Sequence, residues 1–236
     1  TVWHTPAVDP ELGMIYFSTG NPGPDYNGAL RTGDNLFTAS IVALDVYTGE
    51  YRWHFQQVHH DIWDFDAPNP VVLFDLDYNG VLRKGLAQAG KTGWVYILDR
   101  TNGEPLVGID ERPVPQEPRQ ATATTQPYPV GDPFVSQTLD IPPEGFRLVN
   151  NGAIFTPFWE DPVLLRRSEA NWPPSTVDPD KGVMYVCAGE RQAAYSTREG
   201  VEQVENGERY TGGSMSFAPI AVTGVVAAMD LRTNQR

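Results

Sequence analysis

The sequence Ile41-Val42-Ala43-Leu44-Asp45-Val46-Tyr47-Thr48-Gly49-Glu50-Tyr51-Arg52-Trp53 returns as Val95-Tyr96-Ile97-Leu98-Asp99-Arg100-Thr101-Asn102-Gly103-Glu104. It returns again as Val226-Ala227-Ala228-Met229-Asp230-Leu231-Arg232-Thr233-Asn234. Each copy runs from an apolar segment through an Asp into a turn carrying Gly or Asn, the order of a β-hairpin. A longer repeat is Trp3-His4-Thr5-Pro6-Ala7-Val8-Asp9-Pro10-Glu11-Leu12-Gly13-Met14-Ile15-Tyr16-Phe17. It is echoed, without a gap, by Trp172-Pro173-Pro174-Ser175-Thr176-Val177-Asp178-Pro179-Asp180-Lys181-Gly182-Val183-Met184-Tyr185-Val186. Both copies read as strand, Asp-Pro turn closed by Gly, then strand. A unit this small cannot bury its own faces, so its repeats must stack. Hairpins with an Asp at each corner predict radially stacked sheets: an all-β chain forming several blades of a β-propeller rather than a sandwich.

Helical periodicity is nearly absent, and 22 Gly and 21 Pro suit a chain dense in turns. Residues 1–236 are expected to form one propeller domain truncated at both ends. The chain opens without an initiator Met, already in strand-like sequence, and stops inside its third hairpin repeat. Residues 113–145, rich in Pro, Gln and Thr, are expected to be an irregular connection, and 196–213 a polar insertion. A net charge of −13 repels phosphate backbones and argues against a nucleic-acid partner. No apolar run reaches the ~18 residues that a membrane-spanning helix needs. Cys187 is the single cysteine, so no internal disulfide forms; in an apolar strand it is expected to pack in the core.

Chemistry concentrates in His59-His60-Asp61-Ile62-Trp63-Asp64-Phe65-Asp66-Ala67-Pro68. Read as a strand, Ile62, Asp64 and Asp66 share one face, and two carboxylates so placed repel unless a cation or proton lies between them. That reading points to a metal site, a general base, or both. The alternative is a polar loop whose carboxylates accept backbone N–H groups.

Three other motifs are set aside. Gly85-Leu86-Ala87-Gln88-Ala89-Gly90-Lys91-Thr92 spells a phosphate-binding loop, but a strand-like segment follows where a helix is needed. Asp75-Leu76-Asp77-Tyr78-Asn79-Gly80 begins like a calcium loop, yet Leu86 stands where the bidentate Glu belongs, so an Asn-Gly hairpin is expected. His54, His59 and His60 do not suit zinc, because adjacent strand residues point to opposite faces.

His60-Asp61-Ile62-Trp63-Asp64-Phe65-Asp66 resembles the active-site segment of the dehydrogenases that depend on pyrroloquinoline quinone (PQQ), eight-bladed propeller enzymes. Ser18-Thr19-Gly20-Asn21-Pro22-Gly23-Pro24 resembles their metal-binding loop, and Arg31-Thr32-Gly33-Asp34-Asn35 the segment after it. Gly90-Lys91-Thr92-Gly93 through Leu98-Asp99-Arg100, then Glu104-Pro105-Leu106, is similar to the glucose-dehydrogenase branch. Asn171-Trp172-Pro173-Pro174 resembles a further cofactor-contacting segment.

The resemblance implies a role for each matching position. Trp3 stacks on the quinone. Lys91, Asn171 and Trp172 contact the cofactor or pack beside it. Asn21, Asp64 and Asp66 bind the metal. Asp64 is also the general base that takes a hydroxyl proton while hydride passes to the quinone. The cation is Ca2+ or a lanthanide; Asp66 adds the negative charge that suits a trivalent ion, yet the glucose branch also carries Asp here with divalent metals.

The implied substrate is a small alcohol or a sugar. The implied electron acceptor, a cytochrome c or a quinone, lies outside this segment, and the implied location is periplasmic or extracellular. The family's metal-binding glutamate, its paired cysteines and the closing blades are expected in sequence beyond 1–236, so the isolated piece is expected to be inactive. Two other functions fit a propeller of this kind: a protein-assembly scaffold and a carbohydrate-binding module that stacks sugars on its tryptophans.

Overall fold

The computed structural model describes residues 1–139, 144–197 and 210–236. Fifteen strands and two short 3-10 turns are found among them. Strands β1 (Ala7–Asp9), β2 (Met14–Ser18), β3 (Ser40–Asp45) and β4 (Tyr51–Gln56) form an antiparallel sheet in sequence order. Strands β5 (Val72–Tyr78), β6 (Val81–Ala89) and β7 (Val95–Asp99) form a second, which Pro105 extends by a bridge to Leu98. The hairpin β8 (Ile109–Pro113) and β9 (Thr125–Pro129) follows. The remaining strands are β10 (Arg147–Leu148), β11 (Val163–Ser168), β12 (Thr176–Asp178), β13 (Val183–Thr197), β14 (Gly213–Phe217) and β15 (Thr223–Asp230). They are built around the long β13, whose first half pairs with β12 and β15 and whose second half pairs with β11 and β14, while β10 joins in parallel through β11.

The sheets stack face to face, as the repeats required. Tyr16, Ile41, Ala43 and Trp53 of the first sheet pack on Leu86 and Leu98 of the second. The opposite face of the second sheet offers Phe74, Ala87, Val95 and Ile97 to Met184, Val186, Ala227 and Met229 of the third. Strand β7 is therefore buried along its whole length, which accounts for its unbroken apolar run.

Each repeated motif does one local job. In the β1–β2 turn Asp9 Oδ1 accepts the N–H groups of Glu11 and Leu12 at 2.9 and 3.0 Å. The β12–β13 turn repeats this with Asp178 Oδ1 and the N–H of Lys181. Gly13 and Gly182 close the two turns at φ +63° and +69°, a region open to glycine without strain. Trp53 serves the stacking: its indole donates to the Arg100 carbonyl at 3.2 Å, and a Cβ on Gly103 would stand 2.6 Å from its ring. Arg100 in turn joins the sheets, binding Asp9 on one side and Asp75 and the Phe74 carbonyl on the other, each at 2.6 Å.

Two expectations need correction. Residues 113–145 are not wholly irregular, because β9 and a 3-10 turn (Pro118–Gln120) lie within them. Gln126 of β9 fixes that hairpin, since its side chain donates to the His59 carbonyl and accepts the His59 N–H, standing in for a strand partner. Cys187 is exposed rather than core, because in β13 it alternates with the buried Met184 and Val186. Residues 60–68 form no strand, so of the two readings of that segment the loop holds. Of the polar insertion at 196–213, positions 198–209 lie outside the described residues, while its two ends belong to β13 and β14.

The set-aside motifs behave as expected. Gly85 through Ala89 lie inside β6, and Asn79-Gly80 closes the β5–β6 hairpin at φ +56° and +84°.

Candidate active site

The segment after β4 is anchored from below by its apolar members. Ile62, Trp63 and Phe65 are buried in an aromatic cluster with Tyr96, Phe155, Phe158 and Tyr195. The Trp63 indole donates to the Thr156 carbonyl at 2.9 Å. Asp61, fully buried, accepts the N–H groups of Trp63 and Phe65 at 2.8 and 2.9 Å. That carboxylate replaces a neighbouring strand, so the segment is the polar loop with N–H-accepting carboxylates that was one of its two readings. Burial raises the Asp61 carboxyl to about 7; the Trp63 N–H opposes the shift, and the charges of Asp64 and Asp66 add to it.

With its apolar side chains held down, the loop turns its other two acids toward Lys91. Asp64 does this from a left-handed backbone, φ +59°. Lys91 lies in the turn between β6 and β7, with its side chain 5% exposed. Its ammonium meets Asp64 Oδ2 and the Asp64 carbonyl, each at 3.2 Å, and pairs with Asp66 Oδ1. Asp66 Oδ2 accepts the indole N–H of Trp3 at 3.0 Å. Burial raises the Asp66 carboxyl; Lys91 works against this and Asp64 with it.

Of the residues singled out in the sequence, Trp3, Asp64, Asp66 and Lys91 thus meet at one point. Asn21 is less directly engaged, its amide donating to the Pro22 carbonyl at 3.3 Å. Its loop nevertheless runs beside Asp66: the Ala67 N–H donates to the Thr19 carbonyl, and a Cβ on Gly20 would lie 3.9 Å from Asp66 Oδ2. Asn171 and Trp172 are tied to the same segment through Asn69. That fully buried amide donates to the carbonyls of Asn171 and Pro173 at 2.9 and 2.7 Å. Asn171 Oδ1 accepts the Trp172 N–H, and the Trp172 side chain is exposed.

Sequence reasoning missed Arg167. Its buried guanidinium donates to Asp64 Oδ2 at 2.9 Å, to the Trp63 carbonyl and Tyr195 hydroxyl at 3.1 Å each, and to Glu169 at 3.0 Å. Burial disfavours the charge, but Tyr195, Asp64 and Glu169 outweigh it and keep the group protonated. The available signal was an Arg at an inward position of the apolar strand β11, where only an acid partner tolerates it. Asn69 and Tyr195 left no such trace.

Residues 1–208 match the PQQ family described as glucose/ethanol/alcohol dehydrogenase, β-propeller domain. The chain belongs to this family. Quinoprotein alcohol dehydrogenase PedH of Pseudomonas putida is 31% identical over 230 residues, 97% of this chain and 36% of its own length. Quinoprotein glucose dehydrogenase of Escherichia coli is 36% identical over 140 residues, 59% of this chain and 18% of its own length. The crystal structure of quinohemoprotein alcohol dehydrogenase from Comamonas testosteroni matches 100% of this chain and 34% of its own, with TM-score 0.68 and 24% identity. That likeness is one of fold. The quinoprotein propeller seen here therefore spans about a third or less of the length of the curated relatives it matches.

The site's residues fit the family's groups in chemistry. Asp66 Oδ1 is a buried carboxylate oxygen paired with the Lys91 ammonium, an anionic oxygen of the type that hard metal ions take as ligands. Among the described residues no three His, Cys, Asp or Glu side chains form a metal-binding group by themselves. Trp3, bonded to Asp66, presents a half-exposed indole beside the acids, suited to a planar ring system. His59 and His60 share no partner: His59 meets Gln56 and Glu111, while His60 meets the carbonyls of Gly33 and Gln120. No helix is long and apolar enough to cross a membrane among the described residues.

Proposed function

We propose that the protein containing this chain is a PQQ-dependent dehydrogenase that oxidises the CH–OH group of a primary or secondary alcohol or a sugar. The observation that carries this reading is the convergence of Asp64, Asp66 and Lys91 beside the half-exposed Trp3. Bound PQQ would supply the hydride acceptor, and a Ca2+ or lanthanide ion the polarising charge.

The chain's own residues take the remaining tasks. Asp64, with its side chain 22% exposed, accepts the substrate hydroxyl proton as general base. Lys91 supplies fixed positive charge where negative charge develops on the acceptor. Trp3 offers its indole face for stacking, held in place by Asp66. Asn21, Asp64 and Asp66 present oxygen to the cation. Asn171 and Trp172 line the cofactor's edge. Electrons leave to a cytochrome c or quinone outside this segment, in a periplasmic or extracellular setting.

The test uses the full-length protein. Apo-protein is reconstituted with PQQ and either calcium or lanthanum, and dye-linked oxidation of alcohols, polyols and aldoses is followed. Turnover that requires PQQ and metal and disappears in Asp64→Asn supports the reading. Failure to bind PQQ with either ion sinks it and leaves a scaffold or sugar-binding propeller.

A further inference from the structure

We propose that Arg167 is the positioning residue for Asp64: it fixes one carboxylate oxygen and the backbone of that residue, leaving Oδ1 alone to meet substrate. The inference rests on the reading of Asp64 as the base.

Three observations carry it. First, Asp64 Oδ2 receives two cations, Arg167 at 2.9 Å and Lys91 at 3.2 Å, while among the described residues no hydrogen bond reaches Oδ1. The two oxygens of one carboxylate are thereby made different. Second, the left-handed backbone of Asp64 is held from both sides. The carbonyl before it, of Trp63, accepts from Arg167, and its own carbonyl accepts from Lys91. A non-glycine residue keeps such a backbone only where its surroundings impose it.

Third, Lys91 alone is a weak anchor for Asp64. Its contacts there are long for a charge-assisted bond, and its closest partner is Asp66. Arg167 makes the shorter contact, and its planar fork is itself fixed by Glu169 and Tyr195, so every guanidinium nitrogen is occupied. Arg167 therefore holds the base still and leaves Lys91 to serve Asp66 and the acceptor.

Mere charge neutralisation would be satisfied by any cation at this position, whereas positioning requires the fork. In the full-length enzyme, Arg167→Lys should bind PQQ within about threefold of wild type and keep its KM, while kcat falls roughly 100-fold. Arg167→Ala should recover at least about tenfold in kcat with added guanidinium but not with ammonium. A crystal structure of apo Arg167→Ala should show Asp64 turned away from Lys91 or released from its left-handed backbone.

Wild-type kcat in Arg167→Lys, or Asp64 unmoved in the Ala variant, overturns the proposal. Should Arg167→Ala not fold, Glu169→Gln, which frees one edge of the fork, takes its place in the crystal and kinetic measurements. An Asp64→Asn enzyme that still turns over removes the base assignment and this inference with it. An inactive Asp64→Asn beside a normal Arg167→Lys removes this inference alone.

Discussion

The indole of Trp3 donates to Asp66 Oδ2 at 3.0 Å, joining residues 63 positions apart in the chain. The other oxygen of Asp66 faces the Lys91 ammonium. One buried carboxylate thus connects the aromatic platform to the cationic side of the site. A metal ion that takes Asp66 must share it with both neighbours, so tryptophan emission should report binding.

Calcium or lanthanum titrated into the full-length apo-protein should change that emission. Asp66→Asn preserves an acceptor for Trp3 and removes one negative charge. It should weaken lanthanum binding roughly tenfold and calcium less, because the lost attraction scales with the charge of the ion. Equal losses for the two ions would remove Asp66 from any part in metal choice.

The contact of Trp53 with the Arg100 carbonyl and Gly103 joins adjacent sheets. Trp53→Ala should cost about 3–5 kcal/mol of stability, from lost burial and the cavity left behind. Trp53→Phe, which keeps most of the ring and loses the hydrogen bond, should cost nearer 1–2 kcal/mol. Gly103→Ala combines a disfavoured φ of +80° with a Cβ driven into the Trp53 ring, and should fall between them. Denaturant melts of the three variants would check the order; a silent Gly103→Ala would show that the sheets do not meet there.

The hairpins were legible because their requirements are local. An Asp that caps a turn, as Asp9 and Asp178 do, and a Gly at positive φ leave the same mark wherever they recur. The acids of the site stood out by residue type, but their partners were legible only through resemblance, since nothing in residue order brings Lys91 to Asp66. Of the two readings of the segment around Asp64, the loop prevails over the strand for a physical reason: Asp61 takes the N–H groups of Trp63 and Phe65 that a neighbouring strand would have taken. Arg167 depends on β11 packing under the loop, a long-range contact that single-sequence patterns do not carry.

Asp61 gives the site a pH signature. Its folded carboxyl sits near 7, against an ordinary value of 3.8 in the unfolded chain. Between those values the folded state keeps a proton that the unfolded state has released. This residue's contribution to stability is therefore fully present below 3.8 and declines as pH rises to about 7. The decline amounts to roughly 4 kcal/mol at most. Asp61→Asn removes the titration, so the difference between wild-type and variant unfolding free energies should drift in the variant's favour across that window. Parallel pH profiles would show that Asp61 is ionised in the folded protein throughout.

Asn69 links the acid-bearing loop to the segment that carries Asn171 and Trp172. Its amide donates to the carbonyls on either side of Trp172, and its oxygen accepts the Ser175 hydroxyl at 3.2 Å. Asn69→Ala leaves those groups without a partner beneath the surface, a loss of about 1–3 kcal/mol for each one that stays buried. Asn69→Asp should be worse, because it retains the acceptor for Ser175 but sets a carboxylate against two carbonyls. If the segment holding Asn171 and Trp172 lines the cofactor, its release should also weaken PQQ binding in the full-length protein by roughly tenfold, equivalent to about 1.4 kcal/mol. Titration of PQQ against both variants, with melting temperatures measured alongside, separates the two effects. A destabilised Asn69→Ala that binds PQQ as wild type would place Asn171 and Trp172 outside the cofactor site.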